Sequence, residues 1–169
     1  QTPPGNLHYL FAPLKRLRLD YMVQKAVEMG ATCLRPVITQ FTQVSRLNLE
    51  RMRANAIEAA EQCGIIAVPK LLPERKLEAV LDTWEPGRTL IFCDERAEIT
   101  NPLAALQKPL LGPISLLIGP EGGFSAEERQ KLSKVQSVIP ISLGPRILRA
   151  DTAVVAALAL VQATSGDFA

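Results

Sequence analysis

The chain has 169 residues, 47% of them hydrophobic and 21% charged, and carries a formal net charge of +2. That length suits one domain with a substantial core, and the composition is that of a globular protein rather than a disordered or fibrous one. The longest apolar run, Ala153–Val161, is too short to cross a bilayer, and one histidine with three scattered cysteines argues against a zinc site.

Cys33, Cys63 and Cys93 have no C-x-x-C spacing, and no signal peptide is visible at Gln1. They read as reduced, mostly buried thiols of a cytoplasmic protein. The charge is unevenly divided. Residues 1–76 hold 11 Lys+Arg against 6 Asp+Glu, and residues 77–169 hold 8 against 11. A basic amino half suits an anionic partner such as RNA, or is an ordinary solvated surface.

Residues 1–7 read as a linker, with a strand expected at His8–Ala12. Leu19, Met22, Val23, Ala26 and Val27 then share one helical face, and Gly30 is placed to end that helix. Lys15, Arg16 and Arg18 cluster at its start, for solubility or for phosphate contact. Cys33–Thr39 reads as a strand containing Pro36, followed by a polar loop and a helix from Leu49 to Cys63 with an inner face of Leu49, Met52, Ala56, Ala60 and Cys63. Ile65–Leu71 is expected as a strand, Lys76–Trp84 as a short helix and Thr89–Cys93 as a buried strand. Asn101-Pro102 opens another short helix with a capping residue and a first-position proline. Strands alternating with helices predict an α/β domain with a mostly parallel sheet flanked by helices.

Residues 114–153 are the most informative stretch. An apolar run, Ile114–Ile118, stops at Gly119-Pro120-Glu121-Gly122-Gly123, and Ser125-Ala126-Glu127-Glu128 is a capping box that starts a helix. A second run, Val138–Leu143, stops at Gly144-Pro145, and Arg146-Ile147-Leu148-Arg149 leads into the last helix, about Thr152–Thr164. Two strands therefore end in glycine loops, where backbone can approach a ligand, and carboxyl ends of parallel strands are where ligands sit. Neither loop matches G-x-G-x-x-G or G-x-x-x-x-G-K-[ST], which points away from an exposed phosphate and from a dinucleotide enzyme. The last helix is apolar on nearly every side, so it should be buried all round, by threading the core, by packing on a partner subunit, or both.

Together, IGPEGGFSAEE and LGPRILRADTA resemble the small-subunit (16S) ribosomal RNA uridine N3-methyltransferases of the SPOUT superfamily, and the likeness extends to QKAVEMGA (Gln24–Ala31), the Pro36 region and EAAEQCG (Glu58–Gly64). The resemblance implies a SPOUT methyltransferase domain over residues 8–169, with a carboxy-terminal deep trefoil knot and a homodimer. It also implies an amino-terminal β-barrel ahead of the catalytic domain, so the chain is expected to be a fragment or to have lost that barrel. The partner implied is small-subunit ribosomal RNA or the assembled 30S subunit, with no membrane and no metal.

The cofactor implied is S-adenosylmethionine, which has no phosphates and needs no Lys/Arg cradle. By resemblance it would be held by Leu117, Ile118, Gly119, Glu121, Gly122, Gly123, Leu143, Gly144, Ile147, Leu148, Thr152 and Ala153. Leu117, Leu143 and Ile147 are equally well read as core side chains. Uridine N3 must lose a proton, and charge develops on O2 and O4. Arg149 is the candidate to stabilise that charge, unless it serves as an ion-pair partner of Asp151 or Glu121. Asp151 is a candidate catalytic group or a helix cap, and Glu121 a proton acceptor or a loop brace. His8 is read as incidental. Three positions depart from the family pattern: Phe41 and Ile65 stand where arginine is usual, and Asp151 where glutamate is usual. The alternatives are a SPOUT methyltransferase acting on another base or a ribose 2′-hydroxyl, and a non-catalytic RNA-binding module on the same fold.

Overall fold

The computed structural model describes residues 5–44, 46–97, 101–106, 110 and 112–168. Residues 1–4 of the expected linker lie outside them. The strands are β1 (Leu7–Phe11), β2 (Cys33–Ile38), β3 (Lys70–Leu71), β4 (Arg75–Lys76), β5 (Thr89–Cys93), β6 (Ile114–Ile118) and β7 (Val138–Ile141). The helices are α1 (Arg16–Glu28), α2 (Leu49–Gln62), α3 (Leu77–Leu81), α4 (Pro102–Ala105), α5 (Ala126–Leu132) and α6 (Ala150–Ser165).

Every strand pair is parallel, in the order β3-β2-β1-β6-β5-β7, with β4 also pairing β2. A parallel sheet needs cover on both faces, and alternation along each strand supplies two apolar surfaces. Tyr9, Phe11, Leu34, Ile91, Leu116 and Ile118 pack with α1, α2 and α6. Leu10, Val37, Leu90, Phe92 and Leu117 pack on the other side with α3 and α5. All five residues of β6 are buried, which marks it as the centre of the molecule.

Several expectations shift at their edges. The strand expected over Ile65–Leu71 shrinks to Lys70–Leu71, because Ile66 and Val68 are exposed and only Lys70 and Leu71 pair with Cys33 and Leu34. On α2, Met52, Ala56 and Ala60 are buried, but Leu49 is only half-buried. Cys63 lies one residue past that helix and is exposed, while Cys33 is buried and Cys93 half-buried. The final helix begins two residues earlier than expected. Its Val154, Leu158 and Val161 are buried, each contributing about 1.5–3 kcal/mol. It is not buried all round, since Val155, Ala156, Ala159 and Leu160 remain half-exposed along one side.

The chain order and the spatial order differ at the functional end. From β6 the chain passes through α5 to β7, which pairs with the far side of β5, and α6 then packs on α1 and β6. The loops after β5, β6 and β7 and the start of α6 are thereby gathered at the carboxyl edge of the sheet.

Candidate functional site

A cleft of about 850 Å³, part of it open to solvent, lies at that edge. Open parallel sheets place small-molecule sites at this edge. Its walls are Asp94 and Glu95 after β5, Ile118 to Phe124 at the end of β6, Ser142 to Gly144 and Arg146 to Leu148 after β7, and Ala150 and Ala153 of α6.

The middle loop is shaped by close packing. Gly123 has φ +68°, and a Cβ there would come within 2.9 Å of Glu95 Oε1. At Gly119 a Cβ would meet the buried Phe124 ring at 2.9 Å, and that ring is fixed edge-on against Phe92. Backbone is bare at both positions because the space belongs to a neighbour. The capping box forms as expected: Glu128 N–H donates to Ser125 Oγ (3.2 Å) and Ser125 N–H donates to Glu128 Oε2 (2.9 Å). Glu128 Oε1 also accepts from Gln40 N–H at 2.8 Å, which ties the loop after β2 to the start of α5.

Arg129 binds two of the loops together. Its Nε donates to both oxygens of Asp94 (3.1 and 2.9 Å), its Nη2 to Asp94 and Glu95 (both 3.0 Å), and its Nη1 to the Phe124 carbonyl. Asp94 is buried, so this pair is shielded from water and screened little. Sequence reasoning missed Arg129. It stands in the last turn of α5, where the helix dipole favours a cation, so its position gave no local signal of the brace.

The residues singled out in the sequence divide into those at the cleft and those away from it. Ile118, Gly119, Glu121, Gly122, Gly123, Leu143, Gly144, Ile147, Leu148 and Ala153 line it. Leu117 and Thr152 do not: Leu117 is fully buried between Leu10 and Phe92 in the core, and Thr152 is exposed on the first turn of α6. Ile147 is 93% exposed, so the core reading fails for it, whereas Leu143 is half-buried against the core. Arg149 and Asp151 stand beside the cleft rather than in its wall. Arg149 occupies the N-cap of α6, and its Nη2 donates to Asp151 Oδ2 at 3.1 Å. Asp151 is therefore in the first turn and not the cap, where its Oδ1 accepts from Thr152 N–H at 3.1 Å. Glu121 is braced by the Arg18 guanidinium from α1, and among the described residues no backbone N–H donates to it. Both side chains are about half exposed, and such a pair contributes about 0–1 kcal/mol. His8 lies at the opposite end of β1 from the cleft.

Three carboxylates reach the cleft, but Asp94 and Glu95 are paired with Arg129 and Glu121 with Arg18, so with Arg146 on the lining the local charge is close to balance. Among the described residues no group of acidic, histidine or cysteine side chains is arranged to hold a metal ion, and no helix is long and apolar enough to cross a membrane.

The RNA methyltransferase domain family model matches residues 1–162. The chain belongs to this family. Among curated relatives of this RNA methyltransferase domain, ribosomal RNA small subunit methyltransferase E of Rickettsia conorii is 31% identical over 153 residues, covering 89% of this chain and 62% of the relative. The enzyme of the same name from Buchnera aphidicola of Acyrthosiphon pisum is 31% identical over 172 residues, covering 98% and 66%. The chain thus spans just under two thirds of these relatives. A crystal structure of ribosomal RNA small subunit methyltransferase E from Neisseria gonorrhoeae, bound to S-adenosylmethionine, superposes with a TM-score of 0.89 at 32% identity, over 98% of this chain and 69% of that one. A Legionella pneumophila methyltransferase in complex with the same cofactor superposes at 0.84 with 32% identity, over 97% and 68%. The fold alone is shared with a TrmH/SpoU tRNA-modifying enzyme of A. aeolicus, at TM-score 0.61 and 15% identity over 95% of this chain and 75% of that one.

Proposed function

We propose that this chain is the catalytic domain of an S-adenosylmethionine-dependent methyltransferase acting on N3 of a uridine in 16S ribosomal RNA. The observation that carries the reading is the glycine-walled cleft where three parallel strands end. Its chemistry fits the cofactor: bare glycine backbone and the apolar Ile118, Leu143, Ile147 and Leu148 suit an adenosyl group, and among the described residues no cluster of lysine and arginine for a phosphate lines the walls. The relatives named for small-subunit ribosomal RNA and the two neighbours holding S-adenosylmethionine support the same assignment.

In this reading Ile118, Gly119, Gly122, Gly123, Leu143, Gly144, Ile147, Leu148 and Ala153 hold the cofactor, with the Arg129 brace fixing the spacing of the loops. When bound, the cofactor supplies an electrophilic methyl group on sulfur. The chain's own task is to align the attacking nitrogen and to manage its proton, so orientation is the main source of rate. Glu121, at the seam between the cleft and the groove beside it, accepts the N3 proton in this reading, with Arg18 orienting its carboxylate. Arg149 answers the charge that develops on O2 and O4, with Asp151 restricting its rotamers.

The half-exposed side of α6 and the exposed Leu17 and Tyr21 of α1 support a homodimer. The return of α6 from an edge strand to α1 and β6 supports a trefoil-knotted path. The setting is the cytoplasm, where ribosomal RNA is made and matured into 30S subunits.

Calorimetry tests the cofactor half: folded protein that binds neither S-adenosylmethionine nor its demethylated product at millimolar concentration ends the reading. Mass spectrometry of ribosomal RNA from a strain lacking the gene tests the target. The loss of one N3-methyluridine from 16S RNA is expected, and a methyl missing from a ribose hydroxyl or another base would refute the assignment.

A further inference from the structure

A second groove adjoins the cleft across the loop after β6, and the two share Pro120, Glu121 and Gly122 as a common wall. Its other walls are Pro13 to Lys15 and Arg18 at the start of α1, and Phe41, Gln43 and Val44 after β2. Three features of this groove break local rules of folding. Phe41 is 42% exposed, and its ring stands over Gly122, where a Cβ would lie 3.0 Å from Phe41 Cβ. The N-terminus of α1 has no side-chain cap and no acid in its first turn. Lys15, Arg16 and Arg18 crowd that end, where the helix dipole already disfavours cations. Among the described residues only Arg18 of the three makes an ion pair.

An exposed aromatic face beside uncapped helix N–H groups and unpaired cations matches one kind of ligand: a nucleotide, with its base stacked and its phosphate met by charge. Sequences depart from local consistency mainly where function demands it. We propose that this groove holds the nucleotide adjacent to the reacting one in single-stranded RNA, its base stacked on Phe41 and its phosphate at the Lys15–Arg18 end of α1. The shared wall means that a base in the groove is separated from the cleft only by Pro120 to Gly122, so the next nucleotide is delivered to the cofactor side. This rests on the methyltransferase reading above, and it assigns to Phe41 a role that an arginine would fill through charge alone.

The test uses the chain with its five phenylalanines replaced by 4-fluorophenylalanine, the Phe41 signal being assigned by its loss in F41Y. On titration with a short oligouridylate, with the demethylated cofactor present, the Phe41 fluorine resonance should move while those of buried Phe11 and Phe92 stay in place. F41L keeps the apolar contact on Gly122 but removes the π-face, and should weaken oligouridylate binding by at least about fivefold, the low end of what a stacked base contributes. F41Y should bind like the parent, and cofactor affinity by calorimetry should be the same in all three. A Phe41 resonance that is unmoved while others shift, no oligouridylate binding at millimolar concentration, or F41L binding like the parent would each overturn the proposal. Loss of cofactor binding in the parent chain would instead overturn the methyltransferase reading, so the two failures are distinguishable.

Discussion

Replacing Arg129 by methionine should unfasten the cleft and destabilise the whole fold. The guanidinium side chain is 17% exposed and its Asp94 partner 7%, so both charges sit largely out of water. Breaking a buried pair by removing one partner costs about 3–5 kcal/mol, because the other charge is left uncompensated. Asp94 retains one hydrogen bond, from Arg96 N–H at 3.1 Å, which puts the expectation at the lower end, about 3 kcal/mol. For a domain of this size that corresponds to a fall in Tm of about 6–12 °C. Urea melts of the parent, R129M, D94N and R129M/D94N form a double-mutant cycle. Neutralising Asp94 in the absence of Arg129 should recover stability, since it removes the orphaned charge. K131M serves as a control on the same helix, because the Lys131–Glu78 pair is exposed and its loss should barely move the melt. An R129M cost below about 1 kcal/mol, or a D94N change that adds its full loss on top, would refute the claim that this brace is buried and coupled.

G119A should cost about 1–3 kcal/mol by overpacking against Phe124 and should weaken cofactor binding; wild-type stability in a thermal melt would show that the ring has room to move. His8 is lowered from 6.5 to about 4, by burial first and by the Arg88 guanidinium second. As pH falls the unfolded chain takes up this proton before the folded one, so this contribution is complete above pH 6.5 and is lost between pH 6.5 and pH 4. H8Q should flatten that limb of the stability profile in urea melts, and an unchanged slope would clear His8 of the effect. Burial pushes the Cys93 thiol up to about 12, while Cys63 is exposed, so iodoacetamide at mildly alkaline pH should label Cys63 quickly and spare Cys93 in peptide mapping; rapid Cys93 labelling would mean that the floor of the cleft opens. Light scattering should report a dimer at micromolar concentration, and a stable monomer would leave the half-exposed side of α6 without the occupant proposed for it.

Local signals in this sequence were read well because their physics is local. Ile114–Ile118 is a continuous apolar run ended by glycine, and Ser125 with Glu128 satisfies N–H groups within one turn, so both were visible without a fold. The strand expected over Ile65–Leu71 was overcalled for the complementary reason. Its β-branched Ile65, Ile66 and Val68 favour strand, but only Lys70 and Leu71 find a neighbour, and that is decided by where β2 runs. The order of the sheet, with β5 between β6 and β7, leaves no trace in chain order. The Arg129–Asp94 pair joins residues on separate elements, and no periodicity reports a guanidinium crossing between loops. Of the expected cofactor positions, those in the glycine loops reached the cleft through backbone geometry. Leu117 and Thr152 fell outside it because a strand residue faces one side only and this helix turns its third residue outward.

The position of α6 has a consequence for biogenesis. Ala150 and Ala153 supply the last wall of the cleft, and they belong to the element synthesised after every strand of the sheet. A nascent chain can assemble the sheet and its early helices as they emerge, yet it has no enclosed binding site until this helix has docked against α1 and β6. Ligand affinity and the docking of α6 are therefore one event, and truncation within α6 should yield a partly ordered but functionally inert product.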